Sequence, residues 1–228
     1  MHRTRFIVIE GLIGVGKTSL CRLLKDRWSA RLVLEPWDDN PFLAAFYSDQ
    51  ERYAFPTQMF YLASRYSQQL RLARGELTDP FVVADYLFEK DRLFAEETLK
   101  GDEMALYDRF ASLLGGTIPA PEFVLFLDAP TEVIRSRIAR RAIEAEQVIA
   151  ADYLDSLRRR YYTLWDRYDD APVYVLDSTN LDYVHDPESQ ATVLAMLQGW
   201  LDGEPVPGSP EPYHGRIGPK QLHLFGKG

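Results

Sequence analysis

A glycine-rich run that ends in lysine and threonine follows the first apolar segment of the chain. Residues 11–18 read GLIGVGKT and match the phosphate-binding pattern G-x-x-x-x-G-K-[ST] in full. Glycines let backbone N–H groups turn toward a polyphosphate without a Cβ in the way. Lys17 can pair with the β- and γ-phosphates, and the Thr18 hydroxyl can ligate Mg²⁺. The residues expected to bind a nucleoside triphosphate are Gly11, Gly14, Val15, Gly16, Lys17, Thr18 and Ser19.

Acidic side chains stand at the ends of later apolar runs. Glu35 and Asp85 each follow a short β-branched run that predicts a strand. Ligands of open α/β sheets lie beyond the carboxyl ends of the strands, so we expect both acids to face the phosphates. A carboxylate there can accept the proton of an attacking hydroxyl or hold Mg²⁺; the alternative for each is an acid in a solvent-facing loop. Asp128 ends a third run, and we interpret it as a cap for a helix that begins near Pro130.

Arginines are concentrated in two predicted helices. Arg137 and Arg141 lie one turn apart on one helix face, with Arg140 beside them. Arginines that close over a γ-phosphate stabilise the charge that develops during phosphoryl transfer. An arginine-rich helix is also often a solvated face, and we interpret the second run, at residues 158–160, as surface.

Two polar side chains between the second and third strands could read a nucleobase. Gln58 and Arg65 are seven residues apart, which places them on one helix face two turns from each other. An amide and a guanidinium on one face can recognise the hydrogen-bonding edge of a base, although each alone is more often a surface residue. The aromatic residues around them are more typical of a core than of a stacking platform.

These residues must be positioned by strands that alternate with helices. Short β-branched runs predict five buried parallel strands at residues 6–9, 32–34, 81–83, 123–127 and 173–176. Helical spacing predicts helices at residues 17–28, 57–73, 86–100, 104–114, 130–142, 150–168 and 187–201. We expect the second helix to begin just after Pro56, since proline favours the first helical position. The alternation predicts an α/β fold, with the parallel sheet covered by helices on both faces.

Composition narrows the class of protein. The 228 residues suffice for one sizeable α/β domain, which we place at residues 1–202. A net charge of −8 argues against nucleic acids and anionic membranes as partners. No apolar run reaches the length of a membrane span, and no signal-peptide core follows the first residues. A single cysteine, Cys21, suits a reducing compartment and is expected in the core, so we expect a cytoplasmic protein.

The last part of the chain differs in character. Residues 203–228 are rich in glycine and proline and lack a sustained periodicity. We expect a tail that is either disordered or wrapped over the domain. Only residues 221–225 are apolar enough to dock.

Taken in order, these motifs resemble the deoxynucleoside kinase family, in particular the bacterial deoxyadenosine/deoxyguanosine kinases. The resemblance runs from about Arg5 to Leu201. It rests on residues 11–20, Glu35-Pro36-Trp37, Asn40-Pro41-Phe42-Leu43, Phe46-Tyr47, Gln58, Arg65, Asp85-Tyr86, Asp91-Arg92 and residues 137–147. It implies a P-loop NTPase-type three-layer fold with a helical lid at about residues 137–147.

The resemblance also implies a reaction and a role for each matching residue. The γ-phosphoryl group of ATP, bound with Mg²⁺, would pass to the 5′-hydroxyl of a deoxynucleoside, with purines expected from the bacterial group. Glu35 would take the hydroxyl proton, while Lys17, Arg137 and Arg141 would act on the phosphates. The other implied contacts are Tyr47 and Glu146 at the sugar 3′-hydroxyl, Gln58, Arg65 and Asp91 at the base with Phe94 packed against it, and Thr18 and Asp85 at the metal. Family members are commonly dimers, which implies a homodimer.

The chain departs from the family pattern at two places. The acid-Arg-Ser motif of the animal enzymes reads Asp85-Tyr86-Leu87 here, without the arginine. The lid motif Arg-Gly-Arg reads Arg141-Ala142-Ile143. Phosphate clamping must therefore rest on fewer arginines, with Arg140 as a candidate replacement.

Two other functions use the same sheet and phosphate-binding loop. A nucleoside monophosphate kinase of the thymidylate kinase type would need positive charge beside its acceptor phosphate, where Glu35 is expected instead. A guanine-specific switch protein would carry Asn-Lys-x-Asp, which the run from Ser178 to Asp182 does not match. The first observation favours a nucleoside acceptor, and the second argues against a guanine-specific switch protein.

Overall fold

A computed structural model describes residues 4–74, 79–114 and 119–214. Five parallel strands form one sheet in the order β2-β3-β1-β4-β5. Their bounds are Arg5–Gly11 (β1), Arg31–Val33 (β2), Phe81–Ala84 (β3), Val124–Asp128 (β4) and Val173–Asp177 (β5). The central strands β1, β3 and β4 are almost wholly buried, as expected for β-branched runs covered on both faces. The prediction of a five-stranded parallel sheet flanked by helices is confirmed.

Every predicted helix is present, and two short ones were not predicted. The bounds are Lys17–Trp28 (α1), Leu43–Ser48 (α2), Gln50–Ala73 (α3), Lys90–Thr98 (α4), Gly101–Leu114 (α5), Thr131–Arg141 (α6), Ala151–Trp165 (α7) and Pro187–Asp202 (α8). A 3₁₀ helix, Glu144–Val148, joins α6 to α7. Helix α2 and the 3₁₀ helix are single short turns, too short for a periodic pattern to reveal.

The predicted start of α3 at Pro56 is wrong. Asp49 caps the helix instead, because its side chain accepts a hydrogen bond from the Arg52 N–H. Pro56 lies inside the helix, where its missing N–H leaves the Arg52 carbonyl without that helical bond. A capping aspartate and the apolar face of this segment therefore outweigh the local preference of proline for a first turn.

The glycines of the phosphate-binding loop join β1 to α1 through backbone that other residues rarely adopt. Gly16 has φ 116°, and a Cβ there would lie 2.3 Å from the Tyr183 hydroxyl. Gly11 has φ 147°, and its Cβ would lie 2.5 Å from the Leu127 carbonyl oxygen. The loop therefore packs against β4 and against the segment that follows β5, which holds the N-terminus of α1 over the sheet edge.

The core has two parts. The larger one surrounds the sheet and includes Cys21, which is fully buried as expected. The smaller one lies among α2, α3, α4 and α5 and is formed by Phe46, Ala54, Leu62, Ala95, Leu99 and Tyr107. Phe46 thus belongs to the core, as the aromatic spacing predicts. The second core fixes a helical lobe beside the carboxyl ends of β2 and β3.

The first part of the tail wraps over the domain. Gly203 caps the C-terminus of α8, and the chain then returns to the edge strand β5. There the Tyr213 N–H donates to the Val173 carbonyl at 2.7 Å. The Tyr213 hydroxyl donates to Asp166 at 2.8 Å. Residues 221–225, the run that we expected to dock, lie outside the described residues. Within the described ranges, no helix is both long and apolar enough to cross a bilayer.

Candidate active site

A solvent-open cavity of about 770 Å³ lies at the carboxyl ends of β1, β2 and β3. The sequence-predicted residues that line it are Gly11, Gly14, Lys17, Thr18, Glu35, Tyr47, Gln58, Arg65, Asp85, Phe94, Arg141 and Glu146. Asp91 and Arg137 do not line it, and neither do Val15, Gly16 and Ser19 of the phosphate-binding loop. The fold thus brings most of the predicted donor and acceptor residues to one cavity.

Lys17 closes the phosphate-binding loop on itself. Its Nζ donates to the carbonyl oxygens of Gly11 and Leu12, at 2.8 and 2.9 Å. Burial lowers the pKa of Lys17 to about 8, and the nearby charge of Lys90 acts in the same direction. The ammonium is therefore charged at neutral pH and held by weak neutral acceptors, which a triphosphate can replace.

Asp85 joins the phosphate-binding loop to the segment that carries Glu35. Its Oδ2 accepts the Thr18 hydroxyl at 2.7 Å, and its Oδ1 accepts the Glu35 backbone N–H at 2.8 Å. Burial raises the pKa of Asp85, and the charge of Glu35 raises it further. A hydroxyl oxygen and a carboxylate oxygen in contact beside the loop are the hard ligands that Mg²⁺ takes, together with phosphate oxygens.

Two cations hold the Glu35 side chain. Arg65 donates two hydrogen bonds to Glu35 Oε1, one from Nε at 3.0 Å and one from Nη2. Lys90 Nζ lies 3.2 Å from Oε1 and 3.3 Å from Oε2. Burial alone would raise the pKa of Glu35, but the charges of Lys90, Arg65 and Lys17 outweigh it and lower the pKa to about 2. Glu35 is therefore a carboxylate at every physiological pH.

Arg65 connects Glu35 to a buried acid behind the cavity wall. Its Nη1 donates to Asp91 Oδ1, and Asp91 Oδ2 accepts the Tyr107 hydroxyl at 2.6 Å. Both oxygens of Asp91 thus have protein partners, and the residue is only 1% exposed. Asp91 holds Arg65 in place from behind, while Arg65 itself reaches the cavity.

Four polar atoms along the cavity wall are buried and have no hydrogen-bond partner among the described residues. They are Thr57 Oγ1, Gln58 Oε1, Glu146 Oε2 and the Tyr153 hydroxyl. Gln58 Nε2 donates to Thr98 at 3.2 Å, which leaves the amide oxygen for another donor. Unsatisfied buried polar groups are costly, so their concentration here indicates polar groups of a ligand.

The arginines of α6 lie in different places. Arg141 stacks over the Trp37 ring at 5.1 Å and donates to Glu146 at 3.3 Å, at the cavity wall. Arg137 donates to the Val15 carbonyl at 3.0 Å and to Ser178 Oγ at 3.1 Å, so it ties α6 to the phosphate-binding loop. Arg140 is exposed and does not line the cavity. The predicted lid, residues 137–147, therefore contacts the phosphate-binding loop through Arg137 and lines the cavity through Arg141.

One interpretation of a charged residue is wrong, and a second holds only in part. Asp128 does not cap α6, whose N-cap position is Pro130 without a side-chain bond. It is buried and accepts Arg158 Nη2 at 2.6 Å and the Tyr162 hydroxyl at 2.7 Å. In the run at residues 158–160, Arg159 is exposed as expected, whereas Arg158 and Arg160 are half-buried and paired, Arg160 with Glu97. A carboxylate desolvated at a strand end needs a charged partner, and α7 provides one.

Several residues at the site were missed, among them Thr57, Tyr153 and Lys90, which line the cavity, and Glu10. Glu10 is fully buried below the phosphate-binding loop and accepts the N–H groups of Gly11 and Leu87 and the Tyr161 hydroxyl. The sequence did carry a signal for Glu10, which is an acidic residue directly after the apolar run at residues 6–9. Lys90 lies in a charged stretch, residues 89–92, which resembles a solvated helix start, so the sequence carried no signal for it.

Comparison with known proteins agrees with this geometry. A model of the deoxynucleoside kinase family matches residues 7–201. A deoxyguanosine kinase of Bacillus subtilis (strain 168) is 33% identical over 167 residues, 71% of this chain and 78% of the relative. A deoxyadenosine/deoxycytidine kinase of the same strain is 28% identical over 202 residues, 86% of this chain and 92% of the relative.

Solved structures show the same fold. The structure of deoxyadenosine kinase from M. mycoides with bound dATP matches with a TM-score of 0.71 at 22% identity, over 85% of this chain and 99% of that one. The chain thus has the P-loop NTPase-type fold of this structural neighbour. The chain therefore belongs to the deoxynucleoside kinase family, and it is a kinase.

Proposed function

We propose that the protein transfers the γ-phosphoryl group of ATP to the 5′-hydroxyl of a purine deoxynucleoside. The observation that carries the proposal is the Glu35 carboxylate, which is ionised and lies in the same cavity as Lys17 and Thr18. An ionised carboxylate can take the proton of a hydroxyl acceptor, whereas it would repel the phosphate of a nucleoside monophosphate. The carboxylate at this position thus favours a nucleoside over a nucleotide acceptor.

On the donor side, the backbone N–H groups of residues 11–18 and the N-terminus of α1 would bind the phosphates. Lys17 would leave its two carbonyl acceptors and pair with the β- and γ-phosphates. Thr18 and Asp85 would hold Mg²⁺, which when bound neutralises charge on the phosphate oxygens. Arg141 is the lid arginine with access to the cavity, and Arg137 would support the loop from behind.

On the acceptor side, the unpartnered atoms indicate how a deoxynucleoside would lie. Gln58 Oε1 would accept an N–H of the base, and Phe94 would pack against its ring. Tyr47 and Glu146 would bind the sugar 3′-hydroxyl, since Glu146 Oε2 has no partner in the described part of the chain. Arg65 would contact the base edge, and Asp91 would act through it by fixing the guanidinium.

Glu35 would act as the general base. With the 5′-hydroxyl within hydrogen-bond reach, the carboxylate accepts the proton as the oxygen attacks the γ-phosphorus and the bond to ADP breaks. The low pKa makes Glu35 a weak base. A phosphoryl transfer with a loose transition state needs little deprotonation before attack, so an ionised and well-oriented carboxylate suffices.

The purine preference draws on the relatives named deoxyguanosine kinase and deoxyadenosine/deoxycytidine kinase. The test is a phosphate-transfer assay with ATP and Mg²⁺ against deoxyadenosine, deoxyguanosine, deoxycytidine and thymidine, with dTMP as the nucleotide control. We expect a purine deoxynucleoside to give the highest kcat/KM. Faster turnover of dTMP than of every nucleoside would contradict the proposal, as would GTP hydrolysis without phosphorylation of any acceptor.

We also propose a cytoplasmic homodimer. The family resemblance supports it, and so do Leu106, Phe110 and Leu113, which are exposed together on one face of α5. The single buried Cys21 is consistent with a reducing compartment. Light scattering after size-exclusion chromatography should give twice the chain mass of 26.2 kDa, and a monomer mass would contradict the dimer.

A further inference from the structure

Lys90 is the first residue of α4 and is unusual for a lysine at a helix start. It is only 3% exposed, it lines the cavity, and its Nζ approaches both carboxylate oxygens of Glu35. The Phe94 ring, one turn further along α4, lies 5.4 Å below the ammonium. A lysine is rarely buried unless it is paired, so the position calls for a reason beyond solubility.

The charges around Lys90 form a balanced cluster. Glu35, Asp85 and Asp91 are its acids, and Lys17, Arg65 and Lys90 are its cations. Arg65 is shared between Glu35 and Asp91, and Lys17 is turned to the carbonyls of its own loop. Among the described residues, Lys90 thus forms its ion pair with Glu35 alone.

We propose that Lys90 is a positioning residue for Glu35, which orients the carboxylate toward the acceptor hydroxyl. The inference rests on the proposed role of Glu35 as the base. Arg65 contacts only Oε1, so Lys90 is the group that also constrains Oε2, the second carboxylate oxygen. Lys90 also places a cation beside Glu35 in a chain that has tyrosine rather than arginine at position 86. The Tyr86 hydroxyl donates to Gln68 at 2.6 Å.

Loss of the Lys90 contact should slow turnover more than it weakens binding. Among the described residues, Lys90 is the partner of Glu35 Oε2, whereas Arg65 contacts Oε1. Without Lys90 the carboxylate can turn about its contact with Arg65, so its orientation toward the acceptor hydroxyl is no longer fixed. A misaligned base slows the transfer step, whereas the phosphate-binding loop is unchanged.

The test compares Lys90→Met and Lys90→Arg with the unchanged enzyme, with kcat and both KM values measured at neutral pH. We expect Lys90→Met to lose on the order of 10-fold or more in kcat, because a misaligned base slows the transfer step. The KM for ATP should change little. Lys90→Arg keeps a cation beside Glu35 and should recover most of the lost kcat.

The matched control is Arg92→Gln, which removes a cation from the same helix. Arg92 has a 58% exposed side chain and pairs with Glu96 and Asp108 outside the cavity, so its loss should leave kcat unchanged. Normal kcat in Lys90→Met, a rise in the KM for ATP as large as the loss of kcat, or no recovery in Lys90→Arg would overturn the proposal. If Lys90→Met does not fold, the charge-keeping Lys90→Arg decides alone, and a large loss of kcat in that variant would overturn it. An unchanged enzyme that phosphorylates no deoxynucleoside would instead overturn the proposed function.

Discussion

At the scale of single residues, the site is organised by what surrounds each charge. Glu35 and Asp85 are both carboxylates in one cavity, yet their pKa values move in opposite directions. Two cations contact Glu35 directly and lower its pKa, whereas burial and the neighbouring Glu35 raise the pKa of Asp85. In the proposed mechanism the two acids accordingly have different roles: Glu35 is the base, and Asp85 holds Mg²⁺ together with Thr18.

Replacement of Glu35 by glutamine tests the base. Glutamine keeps the shape and can still accept a hydrogen bond from Arg65, but it cannot take a proton. Glu35→Gln should bind ATP nearly as well as the unchanged enzyme and lose turnover on the order of 10²-fold or more. ATP binding by calorimetry and single-turnover phosphate transfer measure the two effects. Near-normal turnover would remove Glu35 from the mechanism.

The pKa of Lys17 predicts a pH dependence of ATP affinity. A lysine whose pKa is lowered to about 8 is charged below that pH and loses its proton earlier than usual as the pH rises. The dissociation constant of ATP should therefore increase up to about tenfold between about pH 7 and about pH 9. Lys17→Met, measured as a control, should bind weakly at both pH values with little change between them. Equal pH dependence in both proteins would exclude Lys17 as the titrating group.

At the scale of elements, the active site depends on how the loop after β1 is packed. Gly16→Ala would place a Cβ 2.3 Å from the Tyr183 hydroxyl in a left-handed backbone conformation. We expect this variant to lose most ATP binding, because the loop must shift. Gly101→Ala is the matched control, since that glycine also has positive φ but meets nothing within 4 Å. It should cost only about 1–2 kcal/mol of folding free energy, and equal losses in both variants would contradict the packing argument.

A second prediction at this scale concerns the ion pair between Asp128 of β4 and Arg158 of α7. Asp128 is almost fully buried, and Asp128→Ala would leave Arg158 and the Tyr162 hydroxyl without their acceptor. We expect a loss of about 3–5 kcal/mol in the free energy of unfolding, as for other buried pairs that lose one partner. Denaturant unfolding measures it. Arg92→Gln, which breaks an exposed pair, should change that free energy by no more than about 1 kcal/mol.

At the scale of the whole molecule, two cores hold the two sides of the cavity. The larger core holds the sheet and the phosphate-binding loop, and the smaller one packs α3, the helix that carries Gln58 and Arg65, against its neighbouring helices. The edge strand β5 is covered in part by the tail. A chain that ends at Asp202 would lose the bonds of Tyr213 to Val173 and Asp166 and should unfold at a lower temperature. Its kcat should be unchanged, because no residue of 203–214 lines the cavity, and a large loss of kcat would place the tail in the site.

The sequence by itself determined the phosphate-binding loop, the order of strands and helices and most of the residues of the cavity. These follow from local patterns: glycine spacing, β-branched runs, and acids at the ends of strands. The roles that those site residues play remain predictions. Only the tertiary structure decided which charges pair, as Asp128 with Arg158, Arg65 with Asp91 and Lys90 with Glu35. Periodicity tells which face of an element is buried, but a buried charge takes its partner from another element, and that partner is set by packing across the chain.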